Sequence, residues 1–169
     1  LIIGLLVVSG LGAIALPAEQ KTIKETINIS KPIINDKQEY IEINLQESNL
    51  NLIESGKPLL PKITKVFTFP FGTKITDIKV TFSEEIQETI SKLIEPSPEA
   101  LIVSSIYKTQ TNNEKIATYD DIKTYPENKY IYRIGAGLQN GEHAIFLTVN
   151  IYPIQYTPST NTISYSKTT

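Results

Sequence analysis

The strongest constraint on the fold is a run of alternating residues, 144–156, near the end of the chain. Alternate residues of the run are apolar, and the residues between them are a mixture of polar and aromatic types. The apolar positions are Ile145, Leu147, Val149 and Ile151, and those between them are Phe146, Thr148, Asn150 and Tyr152. A period of two with one apolar side predicts a β-strand that packs on a core through one face. Pro153 and Pro158 then place the end of the strand at an edge or a corner, because proline cannot donate a ladder hydrogen bond.

Shorter stretches repeat this pattern along the chain. Alternation is visible over residues 41–45, 63–68, 75–82 and 131–134. Turn sequences at 56–58, 69–72 and 140–141 separate the stretches, and Asn140-Gly141 favours a tight hairpin with positive φ. Together they predict an all-β domain, a jelly-roll-like β-sandwich over residues 19–165, with the start of a linker at 166–169.

Two segments depart from the strand pattern. Within residues 83–93, the spacing of Ile86, Ile90 and Leu93 predicts one or two helical turns, and a twisted strand fits nearly as well. Residues 108–129 are polar and predict a long loop, a kind of segment that often carries function in compact domains.

The first sixteen residues carry no charge and read LIIGLLVVSGLGAIAL. Such a run is shorter than the ~20 residues that span a bilayer and fits the apolar part of a secretory signal peptide. Residues 1–18 are therefore assigned to a signal peptide whose basic start is missing, with cleavage preferred after Ala15 in the small-x-small sequence Ala13-Ile14-Ala15. The alternative is an uncleaved membrane anchor. Both predict a secreted or cell-surface domain that meets a membrane only through this segment.

The composition excludes several functions. Among 169 residues, 16 are Lys or Arg and 18 are Asp or Glu, so the net charge of −2 argues against nucleic acid as a partner. The chain has no cysteine and one histidine, His143, which leaves no thiol nucleophile and makes a histidine-based triad improbable. Asp120-Asp121 lacks the alternating ligands of a calcium loop. We therefore predict no catalytic residues, no metal and no cofactor in this segment.

Glycines and tyrosines suggest two other sites. Gly135-Ala136-Gly137 lacks the third glycine and the following helix of a phosphate loop. The preferred interpretation is a segment that leads into a β-hairpin. The tyrosines crowd into two predicted strands and could form a platform for a sugar or a protein, although such residues more often cover a sheet face. They are Tyr125, Tyr130, Tyr132, Tyr152 and Tyr156.

Several proline- and glycine-containing motifs, in a shared order, resemble the propeptides of gingipain-type cysteine peptidases (family C25, clan CD). The first is the G-x-P-x-L-P sequence at 56–61, which is followed by a strand, a Pro-x-Gly turn and a strand over 66–78. A Pro-x-Pro segment at 96–98, a Tyr-Pro pair at 125–126 and a Pro-hydrophobic-x-Tyr-x-Pro bend at 153–158 complete the set. The residues that carry the resemblance are Gly56, Pro58, Pro61, Pro70, Gly72, Pro96, Pro98, Tyr125, Pro126, Pro153, Tyr156 and Pro158.

The resemblance implies a β-sandwich prodomain of a secreted zymogen that precedes a cysteine endopeptidase domain, keeps it latent and assists its folding. The implied partner is that catalytic domain in the same polypeptide. Because related enzymes cut after basic residues, a basic side chain could fill the specificity pocket. The candidates are Lys108, Lys115, Lys123 and Arg133, and residues 108–124 match no motif of the family. The alternatives are a carbohydrate- or surface-binding module and a structural adhesion module that carries a similar domain.

Overall fold

The computed structural model describes residues 1–9, 19–98 and 119–166. These form twelve β-strands and a single-turn 3₁₀ helix at Pro158–Thr160, and the described part of the chain contains no α-helix. The all-β prediction is therefore confirmed. The strands are β1 (Ile2–Ser9), β2 (Glu19–Thr26), β3 (Ile33–Asp36), β4 (Ile41–Asn44), β5 (Leu50–Leu52), β6 (Leu60–Pro70), β7 (Thr73–Thr81), β8 (Glu85–Thr89), β9 (Tyr130–Gln139), β10 (Glu142–Ile151), β11 (Ile154–Thr157) and β12 (Thr162–Ser166).

The strands assemble into open antiparallel sheets. One sheet has the order β2-β1-β7, and a second has the order β5-β6-β10-β9. A third sheet has the order β11-β12-β8, and β3 pairs with β4. The long strand predicted from residues 144–156 is β10, which lies in the interior of the four-stranded sheet between β6 and β9. After Pro153 the chain enters β11, which belongs to a different sheet, while Tyr156 still pairs antiparallel with Tyr125 just before β9.

A first hydrophobic core lies between the β2-β1-β7 and β5-β6-β10-β9 sheets. Leu147, Val149 and Ile151 of β10 are completely buried in it, which confirms the predicted apolar face. Ile63 and Phe69 of β6 pack in the same cluster. The opposing sheet contributes Ile3 of β1 and Val80 of β7. Burial of aliphatic side chains at about 1.5–3 kcal/mol each makes this core a principal source of stability.

A second core forms where β4, β11 and β12 meet. Ile154, Tyr156 and Ile163 are fully buried there, together with Ile41 of β4 and Ile94 of the connecting segment. Ile94 also forms a parallel bridge with Ile41. The segment that follows β8 is thereby tied to the rest of the domain.

The position of β1 differs from the expectation that residues 1–18 lie outside the fold. Ile2–Ser9 is the middle strand of its sheet and pairs with β2 on one side and β7 on the other. Leu1 and Ile3 are buried in the first core. Leu, Ile and Val are common both in the central strands of sheets and in the apolar part of signal peptides. Composition alone therefore does not distinguish a central strand from a signal peptide. Within the described residues, no helix is both long enough and apolar enough to span a membrane.

The ambiguous segment 83–93 contains a strand. Glu85–Thr89 is β8, and it pairs antiparallel with β12 in the register Ile86 to Tyr165. The helical alternative is therefore wrong for these residues. Ile90 is buried just beyond the strand, while Ile86 is exposed.

Positive backbone φ angles confirm the predicted turns. Asn140 and Gly141 have φ values of 53° and 86° and join β9 to β10. Gly72, between β6 and β7, has a φ of 87°. These values belong to the left-handed region, which asparagine and glycine tolerate best. The Asn140-Gly141 hairpin sets the register of β9 on β10, whereas the turn at Gly72 carries the chain from β6 in one sheet to β7 in another.

Gly137 of β9 is expected to resist substitution by alanine. A Cβ atom at this position would lie 3.1 Å from Cε2 of Phe146 on β10. Gly137→Ala should therefore lower the free energy of unfolding by about 1 kcal/mol through overpacking. The matched control is Gly135→Ala on the same strand, where nothing lies within 4 Å of the added carbon. Urea denaturation of the two variants measures the difference, and equal stabilities would contradict the predicted contact.

Candidate functional site

The described residues enclose an open groove beside the start of β9. Its volume is about 680 Å³, and two chain segments line it, 52–57 after β5 and 121–128 before β9. Ile131 and Tyr152 complete the lining. Acidic and basic side chains alternate around the rim, with Glu54 and Lys57 on one segment and Lys123 and Glu127 on the other. The mixture gives the groove no single sign of charge.

Tyr125 anchors one wall of the groove to the second core. Its backbone N–H donates to the Tyr156 carbonyl at 2.8 Å, and the Tyr156 N–H donates back at 2.7 Å. Its hydroxyl donates to Glu54 Oε2 at 3.3 Å, which joins the two walls. The peptide bond between Tyr125 and Pro126 is cis, and Gln155 Nε2 donates to the Pro126 carbonyl at 2.8 Å. This wall is therefore a fixed surface.

The groove continues into an exposed edge strand. β9 pairs only with β10 among the described strands, and it is the outermost strand of its sheet. Tyr132, Ile134 and Leu138 lie opposite Val149, Leu147 and His143 on the face that carries the core. They are nevertheless 49%, 48% and 64% exposed, because the opposing three-stranded sheet does not cover β9. A large, regular and mostly apolar surface is left open at this edge.

The two tyrosine hydroxyls of the site are held in the protonated state. Burial raises the pKa of the Tyr125 hydroxyl well above its usual range, and Glu54 adds to the shift. Burial likewise raises the pKa of Tyr152. Both phenols are therefore protonated near neutral pH and cannot act as bases. Nowhere in residues 1–9, 19–98 and 119–166 do three His, Cys, Asp or Glu side chains gather as a metal site would require.

Two of the four candidate basic residues lie in this region. Lys123 is exposed and lines the groove. Arg133 is exposed on β9, opposite Thr148 and on the face away from the core. Lys108 and Lys115 lie outside the described residues. His143 is exposed beside the hairpin, with its ring 5.3 Å from that of Phe71.

The residues of the proline- and glycine-containing motifs lie at bends and at contacts between segments. Gly56 has a φ of 72° in the turn after β5, and Pro58 bridges Pro96. Pro61 is buried in β6, and Pro70 ends that strand. Pro153 is buried between β10 and β11, and Pro158 starts the 3₁₀ turn. Pro98 is exposed at the end of a described segment.

The tyrosines do not form an exposed platform. Tyr125, Tyr152 and Tyr156 are buried, and Tyr130 packs against the first core. Tyr132 alone among the five candidates is exposed. A sugar-binding surface of coplanar rings is therefore not available from these residues.

Sequence reasoning missed the apolar edge residues Ile134 and Leu138 and the groove residue Glu54. A signal for the first two was present, since β9 carries an apolar residue at every second position and one charged residue, Arg133. Glu54 meets Tyr125 across 71 residues of chain, and no local pattern reveals such a contact.

No known protein-family model matches the chain, and no curated protein matches it. Two solved structures from Porphyromonas gingivalis share its fold. The complex of the pro- and mature domains of RgpB superposes with a TM-score of 0.57 at 18% identity, covering 83% of this chain and 73% of that one. A structure on the zymogenic latency of gingipain K gives a TM-score of 0.53 at 13% identity, covering 83% of this chain and 79% of that one. The chain has the fold of a gingipain prodomain.

The gingipain-prodomain fold confirms the resemblance inferred from the motif order. At 18% and 13% identity the likeness is carried by the fold alone.

Proposed function

We propose that this chain is the N-terminal propeptide of a secreted gingipain-like cysteine peptidase, which it keeps latent and helps to fold. The observation that carries the proposal is the fold shared with two gingipain structures, a complex of pro- and mature domains and a structure that concerns zymogenic latency. The partner is the peptidase domain of the same polypeptide. The chain itself contains no cysteine, so the nucleophile belongs to another part of the protein.

Latency in this proposal is steric. The β-sheets form a jelly-roll-like sandwich, a rigid body that docks beside the active-site cleft, and a basic side chain enters the specificity pocket. Lys123 in the groove and Arg133 on β9 are exposed candidates, alongside Lys108 and Lys115. Anchoring of Tyr125 to Tyr156 and Glu54 supports this role, because a pre-organised surface binds without the entropy cost of ordering a loop.

The proposal includes export. Residues 1–18 direct the chain out of the cytoplasm, residues 19–165 form the propeptide domain, and 166–169 begin the linker to the peptidase. Mass spectrometry of the chain secreted from an export-competent host tests the first of these assignments. A secreted species that begins near Leu16 supports cleavage after Ala15, whereas a species that retains residues 1–18 contradicts it.

Inhibition in trans tests the latency mechanism. The purified chain should inhibit the peptidase domain encoded by the same gene, measured with a peptide substrate that ends in arginine or lysine. Alanine at the basic residue that fills the pocket should weaken inhibition about thirtyfold or more, because removing one partner of a buried charge pair costs about 2–5 kcal/mol. The variants are Lys108→Ala, Lys115→Ala, Lys123→Ala and Arg133→Ala.

Lys74→Ala on β7 is the matched control, since Lys74 is exposed and far from the groove in the sheet order. Unchanged inhibition by all four variants would eliminate a basic side chain as the plug. A wild-type chain that does not inhibit the peptidase at all would overturn the proposed function itself.

A further inference from the structure

We propose that the peptidase domain that follows this segment adds a β-strand to the open edge of β9. This inference rests on the proposed function and specifies the surface through which the two domains meet. Its starting point is the ten-residue length of β9, whose pairing to β10 runs without interruption from Tyr130 to Gln139. Alternate N–H and C=O groups of such an edge point outward and form a template for another strand.

The sequence of β9 lacks the protection that other edges of this protein carry. Soluble proteins keep free edges from pairing by charged side chains or by short strands. The eight residues of β2 include four charged side chains, and the nine residues of β7 include three. β5, at the other edge of the four-stranded sheet, has three residues. The ten residues of β9 carry only Arg133.

The side chains around the edge also fit an added strand. Tyr132, Ile134 and Leu138 lie on the inner face of β9 and are about half exposed or more. A partner strand beside β9 brings its own inner-face side chains against these three residues. Backbone pairing would then give affinity, and alternate apolar side chains would give specificity. Apolar residues at alternate positions are therefore the expected chemistry of the added strand.

The path of the chain favours a domain in the same polypeptide as the occupant. Ser166, the last described residue, pairs with Glu85 of β8. Glu85 forms an ion pair with Lys129, and Lys129 immediately precedes β9. Ser166 is therefore tied through Glu85 to the start of β9, and in the proposed function the peptidase domain follows in the same polypeptide. A domain attached there has an effective concentration in the millimolar range for a short linker, which a second copy in solution does not reach.

Hydrogen exchange tests the pairing directly. The peptidase domain from the same gene is added to the 169-residue chain, and amide exchange is followed by mass spectrometry. Outward-facing amides of β9 should exchange at least tenfold more slowly in the complex. The amides of β10 are the internal control, because β10 is paired on both sides before binding.

A charged edge should block docking. The double variant Ile134→Lys/Leu138→Lys is expected to weaken inhibition at least a hundredfold without loss of β-sheet signal in circular dichroism. Val66→Lys is the matched control, since Val66 is 58% exposed on β6, which lies on the opposite side of β10 from β9. The control variant should inhibit within threefold of the wild-type chain.

The outcomes separate the inference from the proposed function. If the wild-type chain inhibits and the double variant inhibits equally well, or β9 exchange is unchanged in the complex, the edge is not the docking site. If β9 is protected only in a self-associated form of the chain, its occupant is a second copy and the inference is overturned. If the wild-type chain neither binds nor inhibits the peptidase, the proposed function fails and the inference fails with it.

Discussion

A chain that starts at Glu19 is expected to lose the cooperative unfolding transition of the 169-residue chain. The deletion removes β1, which pairs with β2 and with β7 over eight positions each. It also removes Leu1 and Ile3 from the first core. The shortened chain should bind a dye for exposed apolar surface and show a broad urea transition, because two strands lose their shared partner.

Two point substitutions within β1 give a matched test. Ile3 is 1% exposed, and its neighbour Ile2 is 49% exposed. Ile3→Ala should lower the free energy of unfolding by about 3 kcal/mol, in the range for large-to-small changes in a core, while Ile2→Ala should change it by less than about 1 kcal/mol. Denaturation in urea measures both. Equal and small effects would show that β1 does not stabilise the domain.

The stability of the chain that starts at Glu19 also tests the predicted removal of residues 1–18 during export. If residues 1–18 are removed as the signal-peptide prediction requires, the secreted domain has to fold without its middle strand. A chain from Glu19 that unfolds at the same urea concentration as the full chain would show that β1 is dispensable. That outcome would agree with cleavage and contradict the stability prediction.

Replacement of Tyr156 by alanine is expected to cost about 4 kcal/mol of unfolding free energy. Its ring is completely buried and meets the ring of Tyr119 edge-to-face at a centroid distance of 6.1 Å. Its hydroxyl donates to Asn161 Oδ1 at 2.6 Å, and Asn161 Nδ2 donates to the Ile90 carbonyl at 2.7 Å. Truncation leaves a cavity and breaks this chain of hydrogen bonds, and large aromatic truncations cost about 3–5 kcal/mol.

Tyr132→Ala is the control for this prediction. Tyr132 is 49% exposed on β9, so its removal should change the free energy of unfolding by less than about 1 kcal/mol. Chemical denaturation followed by tyrosine fluorescence or circular dichroism gives both values. A Tyr156→Ala chain as stable as the control would mean that the second core does not depend on this ring.

Local chemistry predicted β10 and the turns. The alternation at 145–151 identifies the buried face correctly, since Leu147, Val149 and Ile151 are completely buried. Asn140-Gly141 identifies its hairpin because positive φ favours these two residues. The same alternation placed Tyr152 on the outer face, yet it is buried, because β10 ends at Ile151 and the period of two stops with it.

Two segments could not be resolved from sequence. Residues i and i+4 share a face in both a helix and a strand, so the spacing of Ile86 and Ile90 does not distinguish β8 from a helix. Leu, Ile and Val in β1 suit a sheet interior and a signal peptide alike. For β8 the partner strand β12 decides between helix and strand, and β12 lies far away along the chain, while the signal-peptide assignment of residues 1–18 stays a prediction.

The sequence suggested which basic residues to consider for the site, but it did not locate the groove in the fold. Lys123 and Arg133 were named as candidates to fill a specificity pocket, and both are exposed, while their role stays a prediction. The groove that Lys123 lines depends on Glu54 meeting Tyr125, a contact between distant parts of the sequence. Ile134 is exposed on the outermost strand of a four-stranded sheet that faces a sheet of three strands. The number and order of strands in two sheets cannot be read from the local sequence around Ile134.

Two continuous stretches of chain pass through both cores. β6 places Leu60 in the second core and Ile63 in the first, and residues 147–156 run from Leu147 in the first to Tyr156 in the second. Unfolding of one core is therefore coupled to unfolding of the other through these shared backbone segments. A single proteolytic cut between Ile151 and Ile154 would therefore destabilise both cores in one step.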